Sequence, residues 1–493
     1  MIVRLVGHDY KYAVEQISLA LFPYERINYS HDHVAGSCEP LLESRLSLGG
    51  SYAQATTIIR KDGKISRGVA RIRRGRLSGK LETDRLSQRI IKQSFYRAAM
   101  AFVETPPVWG SLTGIRPAKL AEAALEAGAS EKAAAKMLSK EFYVAPERAQ
   151  LCTGAARAAL ALGRALLPRD VALYIGIPFC PTRCAYCSFV SNSVEKSFDL
   201  VAPFVQTLLG EISDIGRASK ELGLRVVAVY IGGGTPTSLP AEALGSIMQA
   251  LHTAFDLSNA LEYTVEAGRP DTITGEKLEV IRRMGAGRVC VNPQSMSADV
   301  LAAIGRRHTP EETLDAALLV RKSGMLINMD IIAGLPGDSA AGFDNTLHEV
   351  LSIMPENITV HTLSLKKGSR IMLDRTETPD GGQVSEMLSS AFRQLRDRGY
   401  APYYLYKQKY TSGGFENTGW SLPGREGIYN ICMMEELCSV LALGGGGVTK
   451  LVSRTGRIER VFNAKYPLEY IRQAEKTAGK IERIKDFFKI TPI

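Results

Sequence analysis

The stretch YIGIPFCPTRCAYCSFVS, residues 174–191, places three of the chain's eight cysteines within eight residues. Cys180, Cys184 and Cys187 follow a short apolar run that predicts a buried strand, and their spacing is C-x3-C-x2-C. Thiols at this spacing directly after a strand indicate a binding site built from sulfur ligands.

The arrangement of these thiols favours an iron–sulfur cluster over a disulfide or a zinc site. A disulfide framework requires an oxidising compartment and an even number of cysteines. A structural zinc site usually has four ligands in two pairs, and the nearest other cysteines, Cys152 and Cys290, form no second pair. Three close thiolates suit one cubane cluster whose fourth iron is left open, and an open iron can bind a ligand.

The composition is that of a soluble globular protein. The chain has 493 residues, of which 45% are hydrophobic and 23% charged, and this length favours two or three domains. No apolar run approaches the roughly 20 residues that span a bilayer, and the N-terminal sequence turns polar too early for a signal peptide. We therefore expect a cytoplasmic protein without membrane association, whose thiols stay reduced.

The chain is basic, with a formal net charge of +10. Much of the excess lies between residues 60 and 97. Such charge would attract nucleic acid or a multiply carboxylated small molecule, but charge runs more often form a solvated helix face and hairpin. We therefore do not expect nucleic acid as a partner.

Residues 1–165 predict an N-terminal α+β module with a helical connector. Alternating apolar residues on both sides of Asp62-Gly63 predict a β-hairpin. Helical patterns follow in LSQRIIKQSFYRAAMAFVE, PAKLAEAALEAG and APERAQLCTGAARAALALGRALL. No motif in this part of the chain carries chemistry.

Residues 166–365 alternate short β-branched runs with amphipathic helical stretches. The six predicted strands are VALYIGI, RVVAVYIGG, LEYTVEA, GRVCVNP, MLINMDIIAG and NITVHTLSL. Repeated β-α units favour a parallel sheet, and six strands are fewer than the eight of a closed barrel. The pattern therefore predicts an α/β fold, an open partial (β/α)6 barrel.

Residues 366–493 predict an appended C-terminal domain that covers one end of the barrel. It contains a predicted helix at SEMLSSAFRQLRDRGYAPYYLYKQ and a glycine-rich segment, LALGGGGVTK. We expect Trp420 and the aromatic residues of YAPYYLYKQKY to pack in the core rather than to contact a ligand.

Polar residues and glycines stand where the predicted strands end. YIGGGTPTSL closes the second strand; its glycines allow close backbone approach to a ligand, and exposed N–H groups there could bind a carboxylate. Glu266, Gln294 and Asp330 lie in the next three strands or at their ends, and Arg306 follows the fourth strand. Since the strands of a barrel present their carboxyl ends at one face, we expect these residues to surround one cavity with the cysteines. Cys290 alternates within a strand and is expected in the core.

YIGIPFCPTRCAYC resembles the cluster motif of the radical S-adenosylmethionine (SAM) superfamily, whose fold is a partial barrel of this kind. The resemblance implies a [4Fe–4S] cluster on Cys180, Cys184 and Cys187, with the amino and carboxylate groups of S-adenosyl-L-methionine on the fourth iron. One electron from the reduced cluster would then release methionine and a 5′-deoxyadenosyl radical. GGGTP resembles the superfamily's loop for the methionyl amino group.

The succession of Y-x-x-x-P-F-C, GGGTPT, VEAGRPD, GRRHT and DIIAGLPG resembles the oxygen-independent coproporphyrinogen III oxidases and their relatives. WGSLTGIRPAKL, FENTGWSLPGREGIYNICMMEE and LALGGGGVTK resemble the HemZ branch in particular. By that resemblance four residues would contact the cofactor at the cluster: Tyr174, Gly233, Glu266 and Ser364. Six more would face a second S-adenosylmethionine, which the family can hold beside the first: Tyr186, Gly234, Thr235, Gln294, Arg306 and Asp330.

The resemblance implies oxidative decarboxylation of coproporphyrinogen III to protoporphyrinogen IX in haem biosynthesis, with a porphyrinogen substrate and a low-potential electron donor of the flavodoxin or ferredoxin type. Two positions depart from the best-known members, which have histidine where Gly176 stands and a fourth cysteine where Phe189 stands. Relatives that act as haem chaperones also carry Phe there. A haem-binding chaperone that keeps the cluster is therefore a second hypothesis, and a radical SAM enzyme acting on nucleic acid is a third.

Overall fold

The computed structural model describes residues 1–30, 41–187, 192–365, 368–408 and 414–490. The chain divides into two compact units, Met1–Thr153 and Gly154–Ile493. The sequence-based division into three parts, with boundaries after residues 165 and 365, stays a prediction.

The first unit contains a mixed five-stranded sheet. Its strands are β1 (Ile2–Val6), β2 (Asn28–Tyr29), β3 (Leu41–Leu48), β4 (Tyr52–Lys61) and β5 (Lys64–Arg73). The order is β2-β1-β3-β4-β5, in which β1 is parallel to both of its neighbours and the other pairs are antiparallel. Asp62 and Gly63 have positive φ angles of 50° and 72°, as a two-residue turn between β4 and β5 requires, and the predicted hairpin is confirmed.

Helices α1 (Lys11–Leu21) and α2 (Gly79–Ala99) pack on this sheet. The helices that follow are α3 (Ala118–Glu126), α4 (Glu131–Phe142) and α5 (Pro146–Ala165), of which α5 crosses the division between the units. Ile17 of α1 and Phe95 of α2 are fully buried in one core with Leu42 and Ile59 of the sheet. The apolar stripe of each helix thus covers the inward-facing residues of the strands.

The second unit is built on six parallel strands, and all six predicted strands are present. Its strands up to residue 365 are β6 (Asp170–Ile177), β7 (Phe179–Cys180), β8 (Asn192–Ser193), β9 (Arg225–Gly233), β10 (Glu262–Glu266), β11 (Arg288–Cys290), β12 (Leu326–Ala333) and β13 (Asn357–Thr362). The six run in the order β6-β9-β10-β11-β12-β13, and β7 pairs with β8 beside them. Chain order and spatial order agree, which is the arrangement of a partial barrel built from βα units.

A helical segment follows each strand of this sheet up to β12. The helices are α6 (Val201–Glu221), α7 (Ala241–Ala254), α8 (Gly275–Arg283), α9 (Ala298–Ala303), α10 (Pro310–Lys322) and α11 (Ala340–Ile353). Local sequence explains their starts; at α10, Thr309 and Glu312 form a capping box and Pro310 occupies the first turn. Within the described ranges, no helix combines the length and the apolar character that a membrane crossing requires.

The C-terminal segment extends the barrel sheet at both edges. Its elements are α12 (Arg370–Leu373), α13 (Gly381–Asp397), β14 (Ala401–Lys407), β15 (Glu416–Ser421), α14 (Ile428–Glu435), β16 (Ser439–Gly444), β17 (Val448–Val452), β18 (Ile458–Phe462), α15 (Pro467–Arg472) and α16 (Lys476–Ile490). β15 pairs antiparallel with β13, while β16 pairs parallel with β6 at the other edge. The sheet therefore has eleven strands, in the order β14-β15-β13-β12-β11-β10-β9-β6-β16-β17-β18.

The predicted helix over residues 385–408 is wrong in its second half. Helix α13 ends at Asp397, and Gly399 adopts a φ of 83°, the left-handed conformation that commonly ends a helix. The aromatic run after it forms strand β14, in which neighbouring side chains point to opposite faces. The sequence changes there from a helical period to a strand period within one continuous stretch.

Candidate active site

The carboxyl ends of the parallel strands surround a cavity of about 700 Å³. Parallel strands all end at one face of a barrel, so residues far apart in sequence meet there. All thirteen residues that the sequence marked for a cluster or cofactor line this cavity: Tyr174, Cys180, Cys184, Tyr186, Cys187, Gly233, Gly234, Thr235, Glu266, Gln294, Arg306, Asp330 and Ser364.

The three cysteines lie on one side of the cavity. Cys180 ends β7, and the Cys187 backbone N–H donates to the Cys184 carbonyl at 3.1 Å in a tight turn. The Thr235 hydroxyl lies 3.6 Å from the Cys180 Sγ, and the Arg269 Nη1 lies 3.9 Å from the Cys184 Sγ. All three cysteines are partly exposed rather than buried, so their thiols can reach a ligand in the cavity.

The chemistry of this donor set fits an iron–sulfur cluster. In their present rotamers, the described residues contain no group of three acidic, histidine or cysteine side chains close enough to hold a metal ion. The three thiols nevertheless line the same cavity, and the guanidinium groups of Arg269 and Arg306 lie beside Cys184. Cysteine binds iron as thiolate, and these positive charges offset the negative charge that a thiolate-bound cluster brings.

The glycines after β9 are required by close packing. A Cβ on Gly234 would lie 2.4 Å from the Phe179 carbonyl oxygen, and Gly233 has a φ of 108°. The Gly234 N–H donates to the Ile177 carbonyl and the Thr235 N–H to the Phe179 carbonyl, each at 2.7 Å. The expectation that exposed N–H groups of this loop bind a carboxylate is therefore wrong at these two positions, because the N–H groups hold the cysteine segment instead.

Glu266, the last residue of β10, is half-buried beside this loop. Its carboxylate accepts a hydrogen bond from the Tyr230 hydroxyl at 2.5 Å and another from the Gly233 N–H. Burial raises the pKa of Glu266 to about 7; these hydrogen bonds lower it, and the nearby Asp330 charge raises it. The carboxyl group therefore changes its charge near neutral pH. Cys290, 1% exposed and behind Tyr230, is a core residue as predicted.

Asp330 is held from two sides. Its Oδ1 accepts from the Asn328 Nδ2 at 2.9 Å, and its Oδ2 lies 3.7 Å from the His361 Nε2. Burial alone would raise the pKa of Asp330, but His361 and Asn328 together lower it below its ordinary value. Burial would likewise lower the pKa of His361, yet the interaction with Asp330 raises it. His361 was not singled out from the sequence, because a single histidine inside a strand pattern gives no functional signal.

Gln294 and Arg306 connect neighbouring elements at the cavity wall. Gln294 has a φ of 70°, a strained conformation for a residue with a side chain that costs about 1–3 kcal/mol and that clusters at functional sites. Its backbone N–H donates to the Asp330 carbonyl at 2.9 Å. The Arg306 guanidinium donates to the Asn292 carbonyl at 2.6 Å and to the Tyr186 hydroxyl at 3.1 Å. Arg306 thus ties the cysteine loop to the region after β11.

Several buried polar atoms of the cavity-lining residues have no hydrogen-bond partner within the described part of the chain. They are the Oδ1 atoms of Asn292 and Asn328, the Arg306 Nε, the Ser364 Oγ and the Asn417 Nδ2. Unpaired buried polar atoms are rare and costly in proteins, so each calls for a partner. A ligand with both donors and acceptors, such as an amino acid joined to a nucleoside, fits this set.

Aromatic side chains form another part of the wall. The rings of Tyr174, Tyr230 and Tyr429 stack on one another, with centroids 4.5–6.4 Å apart. Tyr404 and Tyr406 of β14 also line the cavity, and the expectation that the aromatic residues of this stretch pack rather than contact a ligand stays a prediction for these two. Reading the stretch as a strand would have found them. Trp420 packs against Phe392, as expected.

A glycine-rich turn after β16 explains why residue 176 has no side chain. A Cβ on Gly176 would lie 2.5 Å from the Gly445 carbonyl oxygen, and one on Gly445 would lie 2.7 Å from the Pro178 ring. Gly446 of the same turn lines the cavity. The turn therefore occupies the space that a histidine at position 176 would need. Phe189, the second departure, lies outside the described residues.

The partial barrel and the cysteine motif at its mouth define a radical SAM protein. The model of the Radical SAM superfamily matches residues 174–350. The structure of coproporphyrinogen III oxidase (HemN) from Escherichia coli shares the fold, with a TM-score of 0.51 and 20% identity, over 69% of this chain and 78% of that one. The superfamily uses a [4Fe–4S] cluster and S-adenosyl-L-methionine, which are therefore the cofactors of this protein.

Comparison with related sequences places the chain in a family within the radical SAM superfamily. The oxygen-independent coproporphyrinogen-III oxidase-like protein HemZ of Bacillus subtilis is 42% identical over 391 residues, 78% of each chain. The heme chaperone HemW of Haemophilus influenzae is 28% identical over 325 residues, 64% of this chain and 81% of that one. The chain belongs to the HemZ family of coproporphyrinogen-III oxidase-like radical SAM proteins.

Proposed function

We propose that the protein catalyses the oxygen-independent oxidative decarboxylation of coproporphyrinogen III to protoporphyrinogen IX. The observation that carries the proposal is the cavity, which joins three cysteines on one side to tyrosines and to Met433 and Met434 on another. The family relationship supports it, because the relative at 42% identity bears the name of an oxidase-like protein.

In this proposal Cys180, Cys184 and Cys187 hold the cluster. When bound, the cluster and S-adenosylmethionine supply the one-electron chemistry that removes a hydrogen atom from a substrate C–H bond. Four residues contact the S-adenosylmethionine at the cluster: Tyr174, Gly233, Glu266 and Ser364. Six face a second S-adenosylmethionine: Tyr186, Gly234, Thr235, Gln294, Arg306 and Asp330.

The other wall of the cavity receives the porphyrinogen. Burial raises the pKa values of Tyr230 and Tyr429, so these rings stay uncharged and present an aromatic surface. Such a wall excludes water and holds one propionate with its β-carbon close to the cofactor. At each of two propionates the β-carbon loses a hydrogen atom, CO2 leaves, and one electron passes to an acceptor, which leaves a vinyl group. A flavodoxin- or ferredoxin-type protein supplies the low-potential electrons.

An anaerobic assay tests the proposal. The reconstituted protein is incubated with coproporphyrinogen III, S-adenosylmethionine and a reductant, and vinyl products are separated after oxidation to porphyrins. Monovinyl and divinyl porphyrins, formed only when all components are present, would support the decarboxylase. Their absence, in a protein that carries its cluster and cleaves S-adenosylmethionine, would refute it.

A haem chaperone is the second candidate, favoured by the relatives named HemW. Two of them, from Haemophilus influenzae and Escherichia coli, are 28% and 26% identical over 64–65% of this chain. In this alternative the same aromatic wall binds haem, and the cluster is kept without decarboxylation. Tight, stoichiometric haem binding together with transfer to an apo-haemoprotein, and no vinyl product, would select the chaperone.

A further inference from the structure

A chain of four polar side chains crosses three neighbouring strands at the cavity. Asn328 and Asp330 of β12, His361 of β13 and Asn417 of β15 all line it. Asn328 donates to Asp330, Asp330 lies 3.7 Å from the His361 Nε2, and the His361 Nδ1 lies 3.2 Å from the Asn417 Oδ1. The register of β13 against β12 and β15, rather than any local motif, assembles this row.

The hydrogen bonds determine how His361 is protonated. The Thr362 backbone N–H, which can only donate, points to the Asn417 Oδ1 at 3.0 Å, so that atom is an acceptor. The His361 Nδ1 must therefore carry the hydrogen that it donates to the same oxygen. Its Nε2 then faces Asp330 either with a lone pair, which repels the carboxylate, or with a second proton. The imidazolium form resolves this conflict.

Two donors of this row remain available to a ligand. At 3.7 Å the His361 Nε2 is paired with Asp330 by charge but is beyond hydrogen-bonding distance. The Asn417 side chain is 1% exposed, and its Nδ2 has no partner among the described residues. A charged N–H and an amide N–H, both at the wall of one cavity, are the donors that a carboxylate requires.

The cations that line the cavity differ in the groups with which they are already paired. Arg269 is neutralised by Asp271, which accepts two hydrogen bonds from it at 3.1 Å each. Arg306 and His361 are positive, Asp330 is negative, and Glu266 is neutral when protonated. Arg306 lies beside Cys184, where its charge offsets that of the cluster, whereas the charge of His361 lies beside Asp330 at the cavity wall. The Arg306 Nε also lacks a partner among the described residues, but Arg306 lies beside the cysteines, so His361 is the cation next to Asn417.

We propose that His361 and Asn417 form the subsite that binds the carboxylate of the propionate to be removed. The proposal rests on the decarboxylase function and names the group of the substrate that this wall recognises. The reacting propionate is thereby fixed by its carboxylate, so that its β-carbon is directed toward the cofactor side of the cavity.

The pH dependence follows from the groups that face His361. Asp330 from β12 and Glu266 from β10 carry the charges nearest to it, and the hydroxyls of Tyr404 and Tyr406 from β14 line the same wall. Carboxylate binding is strongest while His361 is protonated and weakens as pH rises and the imidazolium is lost. Deprotonation of Glu266 weakens binding in the same direction, so substitution at His361 should remove part of the pH dependence and leave the part due to Glu266.

The test measures affinity without turnover. Protein with its cluster is equilibrated anaerobically by dialysis with coproporphyrinogen III and S-adenosylmethionine, without reductant, and ligand is quantified after oxidation to coproporphyrin. We expect His361→Gln to bind about tenfold more weakly or worse at neutral pH, since it loses a charge-assisted hydrogen bond to the ligand. His348→Gln, which changes an exposed histidine of α11, is the matched control and should bind like the wild type.

A second variant, Asn417→Asp, distinguishes weaker binding from a folding defect. The substituted side chain keeps the acceptor that receives the Thr362 N–H and replaces only the donor with an oxygen. We expect it to fold and to bind coproporphyrinogen at least tenfold more weakly, because it places an acceptor against the ligand carboxylate. If Asn417→Asp and His361→Gln both bind like the wild type, the subsite is wrong. If both weaken binding but the wild type never releases CO2, the subsite stands and the decarboxylase function is refuted.

Discussion

A buried ion pair at the back of the barrel offers a quantitative test of the fold around the active site. Glu211 of α6 and Lys480 of α16 are 4% and 5% exposed, and their charged atoms lie 2.8 Å apart. Glu211 also accepts from the Gly444 N–H at 2.8 Å and the Tyr470 hydroxyl at 2.6 Å. The pair thereby holds Gly444, at the start of the glycine-rich turn. In that turn Gly445 packs against Gly176 of β6, and Gly446 lines the cavity.

Lys480→Met should destabilise the protein by about 3 kcal/mol near neutral pH. Removing one partner of a buried ion pair costs about 3–5 kcal/mol, because the other charge is left buried. We place the loss at the lower end of that range, since Glu211 keeps its hydrogen bonds from Gly444, Tyr470 and Asn463. Glu211→Gln in the same chain removes the unpaired charge and should recover more than half of the loss.

The pH dependence of this loss has a definite sign. Burial alone would raise the pKa of Glu211, but Lys480 and the hydrogen bonds lower it below its ordinary value. The stability from the pair is therefore present above the pKa of Glu in the unfolded chain and is lost as pH falls through the lower folded value. In Lys480→Met, Glu211 takes up a proton more readily, so the difference from the wild type should shrink in acid.

Denaturant unfolding measures these differences, with Lys485→Met as the control. Lys485 lies on the same helix and pairs with Glu221 at the surface, where solvent screens the charges and an ion pair contributes little. The reasoning is refuted if Lys480→Met loses no more than this control. It is equally refuted if the double variant Glu211→Gln/Lys480→Met is no more stable than Lys480→Met.

Three further predictions concern the site. Cys184→Ala should abolish the [4Fe–4S] cluster, since two thiolates hold a cubane poorly; retention of about four irons per chain would contradict the ligand assignment. Glu266→Gln should keep the cluster but weaken S-adenosylmethionine cleavage. Because the pKa of Glu266 is raised to about 7, the wild type should also lose stability relative to the Glu266→Gln variant as pH rises from about 4.5 through 7. Unfolding of both proteins at several pH values measures this difference. Gly176→His should destabilise the protein by at least about 1–3 kcal/mol, since its Cβ alone would lie 2.5 Å from the Gly445 carbonyl oxygen; unchanged thermal unfolding would show that the turn is not rigid.

Much of the barrel could be predicted from the sequence because its signals are local. Each of the six strands is a short apolar run, helical patterns lie between them, and repeated βα units permit few topologies. That topology also predicts which residues meet, since Glu266 ends β10, Gln294 follows β11 and Asp330 lies in the second half of β12. A cavity containing all of them with the cysteines follows from the fold class alone.

The features of the site that the sequence did not predict depend on contacts between distant parts of the chain. The row from Asn328 to Asn417 exists only because β15 pairs antiparallel with β13, and nothing near His361 in sequence indicates that pairing. The N–H groups of Gly234 and Thr235 are used by the cysteine segment, which only the register of β6 against β9 reveals. Strand β14 was missed because its aromatic residues continue directly from a helix whose end depends on Gly399.

The central claim is that this cavity couples S-adenosylmethionine cleavage to removal of two propionate carboxyl groups. The ratio of CO2 to 5′-deoxyadenosine released in the presence of coproporphyrinogen III tests it most directly. The account predicts one CO2 for each 5′-deoxyadenosine and two CO2 for each substrate consumed, and it predicts that His361→Gln releases 5′-deoxyadenosine without a matching amount of CO2. Release of 5′-deoxyadenosine at the same rate with and without substrate, with no CO2 from the wild-type protein, would contradict the account.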